Sequence, residues 1–257
     1  MPASFARIVA PERLHVRVTR TLALRILAAE RDGQQIPFPN EADLCRQLGV
    51  SRTVLREAIK VLAAKGMLEV RPRFGTHARP RSEWNLLDPD VLAWQSQLAP
   101  DPRILRDICE VRLSIEPIAA GFAALRAGPK EIAEIEARLE DKEAAADGAV
   151  EDAVDADLRF HAAVVAAAHN PLLSQLNALT REPFRAALSY TRNLRAAEAV
   201  GLHAHRALTE AIRRRDPLQA RAAAEEIVGL AMVGVEEAIR AAKRRKPRHR
   251  LENSHAL

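Results

Sequence analysis

Four polar residues beyond position 100 of this 257-residue sequence occupy positions that an apolar stripe should own. On the segment that starts at Asp101, Ile104, Ile108, Val111, Ile115, Ala119 and Phe122 recur at helical spacing, and Arg112 falls four residues after Ile108 on the same face. Farther on, Val154, Leu158, Val165 and Ala168 trace a second stripe that includes both Asp157 and His161, one turn apart. His205 lies between Leu202, Leu208 and Ile212, whereas His203 points elsewhere. A charged group taken out of water without a partner costs several kcal/mol in practice, so these side chains either satisfy one another or await a ligand. A carboxylate and an imidazole four apart on a helix, joined by a distant imidazole, form a donor set for a divalent, zinc-like ion. An inward guanidinium offers paired hydrogen bonds to the carboxylate of a small effector. The plainer alternative pairs Arg112 with Glu116 or Asp157 and leaves the histidines as satisfied core residues. A metal-dependent enzyme is the rival from another class, but no unassigned inward Glu or Lys stands out as a general base and no nucleophile motif accompanies the set.

A second chemistry lies near the N-terminus. Arg52, Arg56 and Lys60 recur at four-residue steps on a helix that Ser51 caps and whose Leu55, Ile59 and Leu62 face inward. Before it, Asn40 caps a short helix carrying Leu44 and Leu48, which stops at Gly49, and an earlier helix spans Val16 to Arg31. Two helices joined by a tight glycine turn match helix-turn-helix geometry. Met67 to Arg71 alternates as a strand, and the turn Pro72-Arg73-Phe74-Gly75 leads to a second strand, Thr76 to Arg79. Arg52 and Arg56 are therefore the candidates for guanine edges, and Ser51 and Thr53 for phosphates. Arg71, Arg73, Gly75 and His77, about the tip of the two-strand wing, are placed to follow the sugar-phosphate backbone or enter the minor groove. The bland alternative is that these arginines only solubilise a surface helix.

Positioning both sets takes two domains, which the length allows. The sequence is 48% hydrophobic with only 4% aromatic residues, and its 10 glycines are scattered, so a mainly α protein is expected. The reading divides it into a winged helix-turn-helix over 1–79, a linker and hinge helix over 80–100, an all-helical antiparallel bundle over 101–243 and a basic disordered tail over 244–257. Asp88-Pro89-Asp90 starts the hinge helix, and Trp84 and Trp94 are expected to pack the hinge between domains. Charge is segregated along the chain. Residues 1–82 hold 15 Lys/Arg against 7 Asp/Glu, residues 83–239 hold 17 against 26, and residues 240–257 hold 7 against 1. A basic head on an acidic body suits a protein that presents one end to DNA. Cys45 and Cys109, far apart and without partners at metal spacing, read as reduced, buried thiols. No apolar run approaches the roughly 20 residues of a membrane span and no signal core opens the chain, so a cytoplasmic protein without membrane contact is expected.

The segment Pro39-Asn40-Glu41-Ala42-Asp43-Leu44, followed by Leu48-Gly49-Val50-Ser51-Arg52-Thr53-Val54-Leu55-Arg56-Glu57-Ala58, resembles the DNA-binding domain of GntR-family regulators over residues 16–79. Ala42 departs from the arginine or lysine common there, which implies one lost DNA contact. Glu110-Val111-Arg112 with Glu116-Pro117, then Asp157, Phe160-His161 and Asn170-Pro171, then His205 before Ala211-Ile212 and Asp216, resembles the FCD effector domain of the fatty-acid-regulator branch. That resemblance implies that Asp157, His161 and His205 match three of four metal ligands, that Ile227 stands where the fourth would be, and that Arg112 matches the clamp for an effector carboxylate. The stretch Trp84-Asn85-Leu86-Leu87-Asp88-Pro89-Asp90-Val91-Leu92-Ala93-Trp94 is similar to sugar-acid-responsive members, which implies an aldonate such as galactonate. The expected protein is a homodimeric repressor on a two-fold-symmetric operator, released by its ligand. A regulator without any small-molecule effector stays open as the alternative.

Overall fold

A computed structural model describes residues 14–34, 38–71, 75–98, 101–192 and 198–245. The chain divides into two compact units, Met1–Ala99 and Pro100–Leu257. The first contains α1 (Leu14–Arg31), α2 (Glu41–Leu48), α3 (Arg52–Ala64), β1 (Leu68–Arg71), β2 (Gly75–Ala78), a 3-10 turn over Arg81–Glu83, and α4 (Pro89–Ser96). Its helix ends follow from local chemistry. The Asn40 side chain accepts the Asp43 N–H at 2.9 Å, Gly49 closes α2 at φ +64°, and Ser51 Oγ accepts the Val54 N–H at 3.3 Å. Leu22, Ile26, Leu44, Leu55, Leu62 and Met67 fill the core between these helices. The strands pair antiparallel in the register Leu68↔Ala78 to Arg71↔Gly75.

Gly66 turns the chain from α3 into β1 at φ +74°, and a Cβ there would lie 2.3 Å from the Glu83 carbonyl oxygen. Only glycine fits both demands. That close approach belongs to a wider attachment. Trp84 Nε1 donates to the Arg79 carbonyl at 2.9 Å, the Asn85 N–H donates to the Lys65 carbonyl at 2.9 Å, and Lys65 Nζ sits 2.7 Å from Asp88 and 2.8 Å from Asp90. The segment expected to be a linker with a hinge helix is thus fastened to the C-terminal end of α3. Trp84 and Trp94 are buried in the core of the first unit, with Val91.

The second unit consists of α5 (Pro102–Arg126), α6 (Pro129–Ala144), α7 (Val150–Ala166), α8 (Pro171–Arg192), α9 (Glu198–Arg213) and α10 (Pro217–Arg245). Asp101 caps α5 by accepting the Arg103 N–H at 2.9 Å, with Pro102 in the first turn. α5 packs on α10, α7, α8 and α9, while α6 packs on α7 and α9. Alanines line the contacts: Ala120, Ala123, Ala124, Ala204, Ala220 and Ala224 surround Phe160, Leu208, Ile212 and Ile227. Small side chains let the helices approach closely around a few large ones.

The fold is mainly α, a winged helix-turn-helix plus a helical bundle, as expected. One stripe needs correction. Val111 is 38% exposed, and the buried side of α5 runs instead through Leu105, Ile108, Cys109, Arg112, Glu116, Ala119, Ala120 and Ala123. A helix covered by several neighbours buries a wider arc than one stripe describes. Cys109 is a buried free thiol, whereas Cys45 is only half-buried. Among the described residues no helix is long and apolar enough to cross a membrane. Arg73 and residues 246–257 of the basic tail lie outside the described residues.

Candidate functional site

The cations singled out for DNA contact lie at two places in the first unit, the start of α3 and the hairpin. Arg52 and Thr53 stand exposed in the first turn of α3, and Arg52 makes no hydrogen bond or ion pair among the described residues. Ser51 uses its oxygen to cap the helix, which leaves its O–H to donate. Arg56, one turn on, is engaged: Nε lies 2.8 Å from Glu41 Oε1 and Nη2 3.2 Å from Oε2, with the arginine side chain 62% exposed. Such an exposed pair is worth about 1 kcal/mol or less, so phosphate or guanine can take the place of Glu41. On the hairpin, Arg71 pairs with Glu69 at 2.9 Å, and Glu69 stands across the ladder from the exposed His77. Gly75 starts β2 at φ +84°. Sequence reasoning identified these cations but not the two glutamates that hold them.

In the second unit, Arg112, Asp157, His161 and His205 are all inward, each below 8% exposure. They come together with two further residues. Arg112 forks Glu116, with Nε on Oε1 and Nη2 3.0 Å from Oε2, and its guanidinium lies 3.3 Å over the Phe184 ring centroid. Glu116 Oε2 is 3.0 Å from His161 Nδ1. Burial pushes the Glu116 carboxyl up, but Arg112 and His161 outweigh it and hold it at about 2. His161 Nε2 then faces Asp157 Oδ2 at 3.6 Å, and His205 Nε2 faces Oδ1 at 3.4 Å. Lys142, in the last turn of α6, bonds that same Oδ1. Asp157, which burial would raise, is held well below the usual carboxylate range, foremost by Lys142. Burial pushes His205 down, towards its neutral form.

The hydrogen bonds on the far side of each ring fix what the cluster can do. His161 Nδ1 faces a carboxylate and His205 Nδ1 faces the Gly201 carbonyl at 2.5 Å, so each ring carries a proton on Nδ1, and in its neutral form turns a lone pair outward from Nε2. Both Nε2 atoms are buried without a hydrogen-bond partner, as is Arg112 Nη1. The two imidazoles and the carboxylate of Asp157 have ligand atoms within 4.8 Å of one another, close enough to share one ion. Acceptors repel one another unless a cation stands among them, and the set fits a divalent ion. The structural alternative is realised as well: Arg112 and Glu116 are paired. The fourth position implied by the resemblance, Ile227, is buried in the apolar cluster with Phe160 and Leu208. Lys142 is an inward lysine that the search for a general base does not single out, and it is engaged by Asp157. Its signal was available, because Lys142 follows Ile135 by seven residues and Leu139 by three on the buried side of α6.

Both units are similar to known proteins. The family described as bacterial regulatory proteins, gntR family, matches residues 17–77, and the FCD domain matches residues 107–229. The galactonate operon transcriptional repressor of Escherichia coli is 38% identical over 182 residues, which cover 70% of this chain and 79% of that protein. The uncharacterized HTH-type transcriptional regulator YieP of the same organism is 30% identical over 217 residues, 84% of this chain and 93% of that one. A crystal structure of a GntR family member from Pseudomonas syringae pv. tomato superposes with a TM-score of 0.51 at 17% identity, covering 89% of both chains, a likeness of fold alone.

The buried Arg112–Glu116 pair carries a prediction. Glu116→Gln leaves the guanidinium without its counter-charge and should cost about 3–5 kcal/mol in denaturant unfolding at neutral pH. Because the folded carboxyl is held at about 2, below its ordinary value of 4.5, its contribution is present above pH 4.5 and fades as pH falls towards 2. The variant should therefore lose less stability than the parent over that acid range. A loss under about 1 kcal/mol at neutral pH would show that the pair does not hold α5 in place.

Proposed function

Because the chain belongs to the GntR family of bacterial transcriptional regulators and carries an FCD domain, we propose that it is a homodimeric repressor that leaves its operator when a small sugar acid enters the helical unit. Members of this family regulate transcription through DNA and are not enzymes. The observation that carries the effector reading is the set of buried polar atoms without partners, Arg112 Nη1, His161 Nε2 and His205 Nε2. Leaving such groups unpaired is costly, and a hydroxy acid offers both the carboxylate for Arg112 and hydroxyl oxygens for the rest. The fork of Arg112 towards Glu116 is occupied, so the effector meets the guanidinium through Nη1. Likeness to the galactonate operon repressor favours an aldonate such as galactonate.

Asp157, His161 and His205 would hold a divalent, zinc-like ion, which when bound supplies positive charge to effector oxygens. His161 is oriented for this by Glu116, and His205 by the Gly201 carbonyl. Dimerisation is read on α5, where Val111, Ile118 and Leu125 recur every seven residues at 38%, 42% and 61% exposure. A lone exposed leucine is ordinary, but an apolar row along one helix suits a second copy. The formed Arg112–Glu116 pair favours a second reading, in which the buried network is structural and no small molecule is sensed.

On an operator selected from random DNA, Arg52→Ala and Arg56→Ala should each cost about 1–3 kcal/mol and relax base preference, while Arg71→Ala should weaken all sequences alike and lower the salt slope by about 1. Full specificity in both α3 variants would rule out α3 as the reading element. Ile118→Glu should turn a sedimenting dimer into a monomer, and a persistent dimer would move the interface off this row. Titrating galactonate and other aldonates into the operator complex, followed by fluorescence anisotropy, tests the sensor. Release is expected, with Arg112→Lys binding operator normally but needing at least about tenfold more acid, since an ammonium held by Glu116 has no separate N–H in the place of Nη1 to reach the acid. If no acid releases the operator or raises the melting temperature, the second reading stands.

A further inference from the structure

The lysine on Asp157 has no place in the family resemblance or in the effector reading, yet it contacts the one carboxylate of the donor set. Lys142 comes from α6, Asp157 and His161 from α7, and His205 from α9. Lys142 and Asp157 side chains are 16% and 9% exposed, so water screens their contact little. The ammonium bonds Asp157 Oδ1, the oxygen that His205 Nε2 also faces. Next to Lys142, Glu143 bonds Arg206 of α9 at 2.6 Å, a contact more open to water. A divalent ion on one carboxylate and two neutral imidazoles leaves an excess positive charge, and an ammonium on the same carboxylate then repels it at close range.

We propose that Lys142 is a tethered cation that competes with the divalent ion for Asp157, neutralising the carboxylate when no ion is bound and withdrawing when one enters. This rests on the reading of Asp157, His161 and His205 as ion ligands. The ion-free protein keeps a compensated core and stays folded, in contrast to small metal sites whose fold exists only with the ion. An entering ion must displace Lys142, so the site discriminates against weakly held ions, and displacement frees the last turn of α6 from α7.

The test uses the full chain without a tag, stripped with chelator, and zinc chloride as the probe. Zinc affinity is measured by competition with a chromophoric chelator and stability by thermal melting, for the parent, Lys142→Gln, Lys142→Arg and His205→Ala. Lys142→Gln should melt lower without zinc, bind zinc at least about tenfold tighter than the parent and regain its stability when zinc is added. Lys142→Arg, which keeps the charge, should behave as the parent does. If Lys142→Gln folds only with zinc, the lysine's stand-in role is upheld in its strongest form. If it fails to fold even with zinc, or binds no tighter than the parent, or if Lys142→Arg binds as tightly as Lys142→Gln, the proposal is overturned. His205→Ala separates the two ideas. Zinc binding lost in that variant but not tightened in Lys142→Gln sinks the lysine alone, whereas zinc binding that survives it, or is absent from parent and Lys142→Gln alike, removes the ion site and the proposal with it.

Discussion

A carboxylate taken out of water organises the helical unit. Asp157 is buried at the meeting of α6, α7 and α9, and its charge demands compensation from every side. Lys142 answers from α6 and His205 from α9. His161, on Asp157's own helix, turns its other nitrogen to Glu116, which is forked by Arg112, which in turn lies over Phe184 of α8. Alternating charge and hydrogen bonding thus run through five helices, α5 to α9. In a low-dielectric interior each link strengthens its neighbours, and each unmade link is costly. A ligand that adds a charge at one point of this chain changes what the others need. Coupling between sites in allosteric proteins is worth about 1–3 kcal/mol, which is comparable to a single charge-assisted hydrogen bond gained or lost.

Much of this was legible from periodicity, because a polar residue on an apolar stripe is conspicuous. Arg112, Asp157, His161 and His205 were found that way, and all four are buried. Lys142 obeys the same rule but does not stand out by spacing, since a lysine in the last turn of a helix also satisfies the helix dipole from solvent. Burial, not spacing, separates the two roles. Val111 erred in the opposite sense: one stripe assigned it to the core, while packing on several neighbours rotated the buried arc of α5 away from it. In the first unit the caps Asn40 and Ser51 and the stop at Gly49 fixed the helix boundaries, because these signals are local. What α4 packs against was not legible, for a proline and a capping aspartate announce a helix without saying which surface will cover Trp94. Asp88 shows the difference: it caps α4 as its position suggests, and it also takes Lys65 from 23 residues earlier.

The head manages its charge by the reverse strategy. Arg56 and Arg71 are paired with Glu41 and Glu69 at the surface, where the pairs cost little to break. With 15 Lys/Arg against 7 Asp/Glu over residues 1–82, the net field stays positive whichever local partners are engaged. Exposed pairs of this kind orient the side chains without binding them tightly, so in the proposed function the exchange of a glutamate for a phosphate is nearly balanced locally. Affinity then comes from the released counterions.

The acidic body poses a problem that the buried cluster answers. Residues 83–239 hold 17 Lys/Arg against 26 Asp/Glu, a field that repels DNA and equally repels an anionic effector. A sugar acid that binds there must exchange its hydration for cations concentrated at one point. Arg112 and Lys142 place positive charge inside the bundle, where low screening makes it count for more than the surface excess of acid. Each is neutralised by one carboxylate, Glu116 or Asp157, so the empty cluster carries no excess charge to destabilise the fold. In the proposed function an entering anion shares Arg112 with Glu116, and that sharing gives a small ligand leverage over the helices joined by the cluster.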